Sequence, residues 1–232
     1  MPVFQLNDEI AFPDPRDANE DGLLAIDGDL SPERIMMAYG MGIFPWFNEG
    51  SDILWWSPNP RLLLKPQMFK LSKSLKRKVR QKTISVFFDR DFEQVIENCA
   101  ITLRKDEEGT WITNDMQAAY IKLYELGWAH SVEVYEDNKM IGGLYGISLG
   151  KAFFGESMFF KKNDASKVAL YYLCQELTKW GFHFIDAQVE TDHLISLGAE
   201  RIDRDTFLDK LEKAQQSPTC KGKWTKKIKY EL

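Results

Sequence analysis

Residues 130–189 read HSVEVYEDNKMIGGLYGISLGKAFFGESMFFKKNDASKVALYYLCQELTKWGFHFIDAQV. Three strand-like runs come first, His130–Glu136, Lys139–Ile147 and Lys151–Phe160, parted by Asp137–Asn138 and by a turn around Gly150. Asp and Asn tolerate the backbone of a tight hairpin turn, and glycine adopts it without steric cost. The three runs therefore predict an antiparallel meander. Asn163 or Asp164 then caps a long helix to Trp180, Gly181 ends it, and Phe182–Val189 is a compact apolar strand. The order is β-β-β-α-β.

Upstream lie a strand near Ile84–Phe88, a helix near Phe92–Leu103, and a helix from about Asn114 to Leu126 stopped by Gly127. Helices followed by β-β-β-α-β resemble the GNAT-like acyltransferase core, an α+β fold in which acyl donors bind where neighbouring strands splay apart. Residues 1–61 are rich in Pro, Gly and Trp and hold one evident helix, opened by Ser31 as N-cap with Pro32 at its first position. They predict a small N-terminal α/β annex, leaving residues 62–232 as the GNAT-like catalytic domain. The tail after Gln215 is expected to be loosely ordered outside any partner.

With 232 residues, 44% of them apolar, the chain can close one sizeable core and a small annex. The start, MPVFQLNDEI, has no basic region followed by an apolar stretch, and no uncharged apolar run approaches the roughly 20 residues of a bilayer crossing. A cytoplasmic protein without membrane contact is expected. Cys99, Cys174 and Cys220 show no CxxC spacing, which argues against a disulfide framework and against a structural metal site. His130, His183 and His193 form no evident triad with a nucleophile, which argues against a covalent acyl-enzyme.

The net charge of −5 hides two basic stretches. The first, Lys70 to Lys82, contains Lys73, Lys76, Arg77 and Arg80 and no acidic residue; the second is the tail, Lys221 to Lys229. Leu71, Leu75 and Val79 recur every four residues, so a helix can anchor that stripe and turn its cations outward. Such a face suits a nucleic-acid backbone, and it equally suits a merely solvated lysine-rich helix.

Seven strings run in order along the chain: GLLAIDGDL at 22–30, GIFPWF at 42–47, WWSPNPR at 55–61, GTWIT at 109–113, GESMF at 155–159, ASK at 165–167 and IDAQ at 185–188. Together they closely resemble the bacterial leucyl/phenylalanyl-tRNA–protein transferases over roughly residues 4–200. The resemblance implies transfer of leucine or phenylalanine, or of methionine, from its tRNA to a protein beginning with Lys or Arg, which marks that protein for degradation. Because this reaction turns an ester into an amide, no ATP, metal or other cofactor is expected, and a monomer is expected. The resemblance also places the catalytic centre on Asp186 and Gln188, with the aspartate polarising the glutamine.

Period-two alternation along the last strand sets Phe184, Asp186 and Gln188 on one face. A carboxamide is a poor proton acceptor near neutral pH. Gln188 is therefore expected to hold the attacking amine by its carbonyl oxygen while the vicinal ribose hydroxyl relays the proton, with Asp186 orienting Gln188 and attracting the cationic acceptor. Read blandly, the two are a hydrogen-bonded polar pair at a strand end. Alternation likewise aligns Glu156 with Phe154 and Met158 on an otherwise apolar strand; it is either satisfied by buried hydrogen bonds or meets an amine brought by a substrate.

An apolar pocket for the aminoacyl side chain is expected from Leu144, Phe154, Met158, Leu173 and Ile185, each of which could instead be plain core. Aromatic faces stack on unpaired bases, which nominates Trp46 and Trp111, with Tyr39 nearby, for the terminal adenosine; Trp55 and Trp56 read better as rings that weld the annex to the main domain. The rival is an acyl-CoA N-acyltransferase, which would cradle pyrophosphate in a glycine-rich turn before the long helix. Here that turn reads KKNDASK and has no glycine.

Overall fold

The computed structural model describes residues 3–81, 83–102 and 111–228. Lys82, Leu103, Gly109, Thr110 and Lys229, which entered the sequence reading, lie outside these. Along the chain run β1 (Phe4–Leu6), β2 (Leu23–Asp27), α1 (Pro32–Gly40), β3 (Phe44–Pro45), β4 (Leu54–Trp56), β5 (Arg61–Leu64), α2 (Lys73–Val79), β6 (Ile84–Phe88), α3 (Phe92–Ile101) and α4 (Asn114–Glu125). There follow β7 (Ala129–Glu136), β8 (Lys139–Leu149), β9 (Ala152–Phe160), α5 (Ala165–Lys179), β10 (Phe184–Gln188), α6 (Asp192–Ser196), β11 (Glu200–Ile202), α7 (Arg204–Gln215) and β12 (Lys226–Ile228).

The strands form two sheets. A small one has the order β1-β2-β4-β3; the large one runs β11-β5-β10-β9-β8-β7-β6-β12. The predicted meander is β7-β8-β9, with Asp137 and Asn138 both at positive φ in its first turn, as a tight hairpin requires. In the large sheet every neighbouring pair is antiparallel except β9 and β10, which α5 connects as a crossover. The α+β, GNAT-like core expected from the β-β-β-α-β order is therefore the fold.

Both faces of the large sheet are covered, which is why β7 and β8 are buried almost throughout rather than alternating between buried and exposed. One face packs on α1, α3, α4, α7 and the small sheet, in a core that includes Ile35, Tyr39, Trp55, Phe92, Tyr120, Phe154 and Phe207. The other packs on α2 and α5 around Leu75, Val86, Val132, Leu144, Leu173 and Ile185. Trp55 is fully buried and its Nε1 donates to the Asp27 carbonyl at 2.8 Å, so it is a structural ring whose bond lies within the small sheet. Arg61, at the end of the annex as read from the sequence, opens β5 and so already belongs to the large sheet.

The tail is the main departure from the sequence reading. Far from being loose, residues 216–228 run back along the domain and β12 pairs antiparallel with β6. The indole of Trp224 stacks on His130 with ring centroids 3.6 Å apart and planes 5° from parallel. Asp89, itself buried, contacts His130 Nδ1 at 2.9 Å and accepts from the backbone N–H of Trp224. A lone tryptophan among lysines gave no periodicity to detect, yet its buried area outweighs the entropy of ordering a short segment. Trp224→Ala should lower stability by about 3 kcal/mol, or roughly 6–12 °C in melting temperature. An unchanged melting curve would mean that the tail is not held by this ring.

Candidate active site

The site forms where β9 and β10 stop pairing. Their parallel register covers only Phe184↔Ala152, Ile185↔Phe153 and Asp186↔Phe154; beyond it the strands part. Two bulges sit at the parting. Against β8, β9 passes from Gly155↔Gly146 to Ser157↔Tyr145, so Glu156 is the extra residue; against β5, β10 passes from Asp186↔Leu63 to Gln188↔Leu62, so Ala187 is. Gln188 adopts φ +60°, a conformation rarely taken by a residue with a side chain.

The bulges overturn the alternation read from the sequence. Met158 does not share a face with Phe154, because Glu156 adds one residue between them; Phe154 points into the core with Tyr39, and Met158 packs on the opposite side. Asp186 and Gln188 do not meet side chain to side chain. Gln188 Nε2 donates to Glu156 Oε1 at 3.0 Å, which leaves the carboxamide oxygen as its free acceptor, while Gln188 N–H donates to Asp186 Oδ1 at 2.9 Å. The group that orients the carboxamide is thus Glu156, and Asp186 holds the backbone beneath it.

Asp186 is fully buried and ion-paired within the protein. Arg61, equally buried, donates to it from Nε at 2.9 Å and from Nη2 at 2.7 Å. This forked pair offsets much of the Asp186 charge, so a substrate cation would have to compete with Arg61 for that carboxylate. Arg61 escaped the sequence reading. Its signal was a single charge opening the apolar run RLLL directly after a proline turn, where a buried cation needs a buried anion.

Glu156 is held by hydrogen bonds from neutral groups rather than by a cation. Its second oxygen accepts from Tyr120 OH at 2.9 Å, and that hydroxyl lies 2.6 Å from Tyr39 OH. Burial raises the Glu156 carboxyl from its ordinary 4.5 to about 7; the nearby Asp186 charge pushes the same way, and the tyrosine and glutamine hydrogen bonds oppose it. Burial, then the charge on Glu156, push both tyrosine hydroxyls well above 10, so they stay protonated. Tyr39 is therefore a buried support, not a platform for a base: its exposure is 0% and it is absent from the cavity wall.

Glu156 and Gln188 line a cavity of about 500 Å³. Leu144, Met158, Leu173 and Ile185 stand in its wall, as expected from the sequence, joined by Phe153 and Leu170, which the sequence does not single out. Phe154 is not there. The glycine within FFGES hinted at the bulge that exchanges Phe154 for its neighbour, since a glycine inside a strand pattern often marks one. Trp46 and Trp111 also line the cavity, Trp46 with 38% of its surface exposed; Trp56 donates its indole N–H to the Trp46 carbonyl at 2.7 Å. His193, dismissed in the sequence reading, lines it as well, and burial followed by Lys167 lowers its pKa.

On α2, Ser72 caps the helix and Leu75 and Val79 are buried, while Lys73, Lys76, Arg77 and Arg80 are all exposed. Lysines and arginine in its last turn also suit the negative end of the helix dipole, a local reason for part of this charge. Among the described residues no group of His, Cys, Asp and Glu could hold a metal ion, and no helix is long and apolar enough to cross a membrane.

Comparison with known proteins gives one result at two scales. The family model "Leucyl/phenylalanyl-tRNA protein transferase" matches residues 63–212, and the model of the N-terminal domain of the same transferase matches residues 28–59. The leucyl/phenylalanyl-tRNA–protein transferase of Desulfatibacillum aliphaticivorans is 53% identical over 225 residues, 97% of this chain and 97% of that protein. That of Thermodesulfovibrio yellowstonii is 51% identical over 230 residues, 99% and 94% respectively. Among solved structures, L-PGS from Bacillus licheniformis shows a TM-score of 0.39 at 12% identity over 86% of this chain and 66% of that one, a likeness that carries no argument.

The raised carboxyl of Glu156 has a measurable consequence for stability. Between pH 4.5 and about 7 the folded chain keeps a proton that the unfolded chain has released. Stability therefore falls as pH rises through that window, and above it the fold carries a buried ionised carboxylate. Glu156→Gln removes this titration and should stabilise the protein at pH 8 by about 1–3 kcal/mol, several degrees in melting temperature, and by less at pH 5. Equal effects at the two pH values would show that Glu156 titrates normally.

Proposed function

We propose, from the premise that the chain belongs to the leucyl/phenylalanyl-tRNA–protein transferase family and is an aminoacyl-tRNA–protein transferase, that Glu156 and Gln188 form its reacting centre and that its acceptors begin with Lys or Arg. The leucyl or phenylalanyl side chain enters the apolar wall of Leu144, Phe153, Met158, Leu170, Leu173 and Ile185. The terminal adenosine lies toward Trp46 and Trp111, and the acceptor stem runs along the cations of α2.

The acceptor α-amine attacks the ester carbonyl, a C–N bond forms, the C–O bond to the ribose breaks, and the amine proton must reach the leaving oxygen. A group with a pKa near 7 can take that proton at neutral pH and return it, whereas a carboxamide cannot. Glu156 has such a pKa and sits on the cavity wall beside Gln188; this is the observation that carries the reading. Gln188 Oε1 then receives an N–H of the amine and fixes its angle of attack, and the vicinal ribose hydroxyl can relay the proton onward. An aminoacyl-tRNA donor is a cytoplasmic molecule, which supports a cytoplasmic protein.

Two outcomes are expected. With radiolabelled Leu-tRNA and a model protein beginning with Arg, kcat/KM should rise with pH to a plateau above about 7, and Glu156→Gln should lose roughly 10²-fold or more and the pH limb with it. Full turnover by that variant would remove Glu156 from the chemistry. Reversing two charges on α2, Lys76→Glu with Arg77→Glu, should raise KM for aminoacyl-tRNA about tenfold at low salt. The same variant should use phenylalanyl-adenosine, which lacks the acceptor stem, as well as the wild type does; equal losses on both donors would place the tRNA elsewhere.

A further inference from the structure

We propose that Arg61 is a positioning residue of this active site, whose buried guanidinium fixes the annex wall of the cavity and the turn carrying Gln188 in one register; this rests on Glu156 and Gln188 being the reacting centre.

A buried Arg–Asp pair is a poor device for stability alone, since apolar residues of similar volume often serve as well or better. The bonds of Arg61 point to another use. Nε and Nη2 hold Asp186, whose Oδ1 also accepts the backbone N–H of Gln188 and so anchors the left-handed residue at the bulge. The remaining Nη1 donates to the Gly42 carbonyl at 3.1 Å, outside the large sheet. The guanidinium lies between the rings of Phe44 and Phe207, 4.8 and 4.5 Å from their centroids.

Gly42 presents that carbonyl from φ +76°, and an added Cβ there would stand 2.7 Å from the Phe207 ring. Two residues on, Phe44, Pro45 and Trp46 line the cavity. One cation therefore links the wall that receives the donor to the turn that aligns the acceptor: Gly42 carbonyl, Arg61, Asp186 carboxylate, Gln188 amide. Lysine has the charge but carries its donors on a single nitrogen, so it cannot span both the Asp186 carboxylate and the Gly42 carbonyl. The reaction depends on two bulky reactants meeting at one angle, so loss of this register should appear in kcat before it appears in donor affinity.

The test compares wild type, Arg61→Lys, the apolar pair Arg61→Met with Asp186→Leu, and Gln188→Ala, measuring melting temperature, kcat, and KM for Leu-tRNA. The apolar pair should melt within a few degrees of wild type yet turn over at least about 30-fold more slowly, with KM changed less than about threefold. Arg61→Lys should lose about tenfold in kcat. Wild-type kcat in a folded apolar pair would make Arg61 purely structural and overturn the proposal. If that pair does not fold, Arg61→Lys decides alone, with kcat within twofold of wild type as the overturning result. Gln188→Ala separates the two readings. Slow turnover there beside full turnover in the Arg61 variants overturns the role of Arg61 only; full turnover there overturns the reacting centre and this proposal with it.

Discussion

Two parallel strands that stop hydrogen-bonding after three residue pairs leave a wedge between the two faces of a buried sheet, and the rest of this molecule is arranged around that wedge. A gap in a sheet exposes backbone donors and acceptors, which is tolerated only where a ligand or nearby side chains can meet them. Here the gap receives Glu156 and Gln188 from the two strands that border it, and their mutual hydrogen bond replaces the missing ladder. The apolar side chains of one sheet face continue into the gap as its wall, while tyrosines from α1 and α4 on the other face close its floor.

The same wedge explains why the fold was readable and the site only partly so. The meander, the long helix and the final strand announce themselves because each has a strong period, turn residues at its ends and a length typical of its class. Ala165–Lys179, for example, lies inside the range read from Asp164 and Gly181. Periodicity fails where a strand gains one residue. At Glu156 and at Ala187 the pattern slips by one, which exchanged Phe154 for Phe153 in the expected pocket and separated Asp186 from the Gln188 carboxamide. Long-range electrostatics are equally invisible to spacing. Nothing local in WWSPNPR says that its arginine will meet an aspartate 125 positions later, although a charge leading an apolar strand poses the question of a partner. Tyr39 failed for a related reason, since an aromatic near a motif can as well floor a pocket as line it.

A conflict between stability and activity is built into the centre. A carboxyl at about 7 is an uncomfortable occupant of a core, and Glu133 on β7 shares that state, raised to about 7 chiefly by burial. The two differ in their surroundings. Glu133 is fully buried with Ser131 as its close partner, whereas Glu156 stands on a cavity wall with a carboxamide and a phenol holding it in place. Environment, rather than the carboxyl itself, makes one of them available to a reactant.

The pairing of β12 with β6 bears on how the chain reaches this state during synthesis. Until residue 228 has left the ribosome, the outer edge of β6, with its alternating IleSerValPhePhe sequence, has no neighbour on that side. An unpaired apolar edge of that kind is a template for joining another nascent chain. Lysines in the closing segment offer charge repulsion between such intermediates before they close. The order of synthesis therefore sets a window of vulnerability for this fold, and the pairing of β12 with β6 ends it.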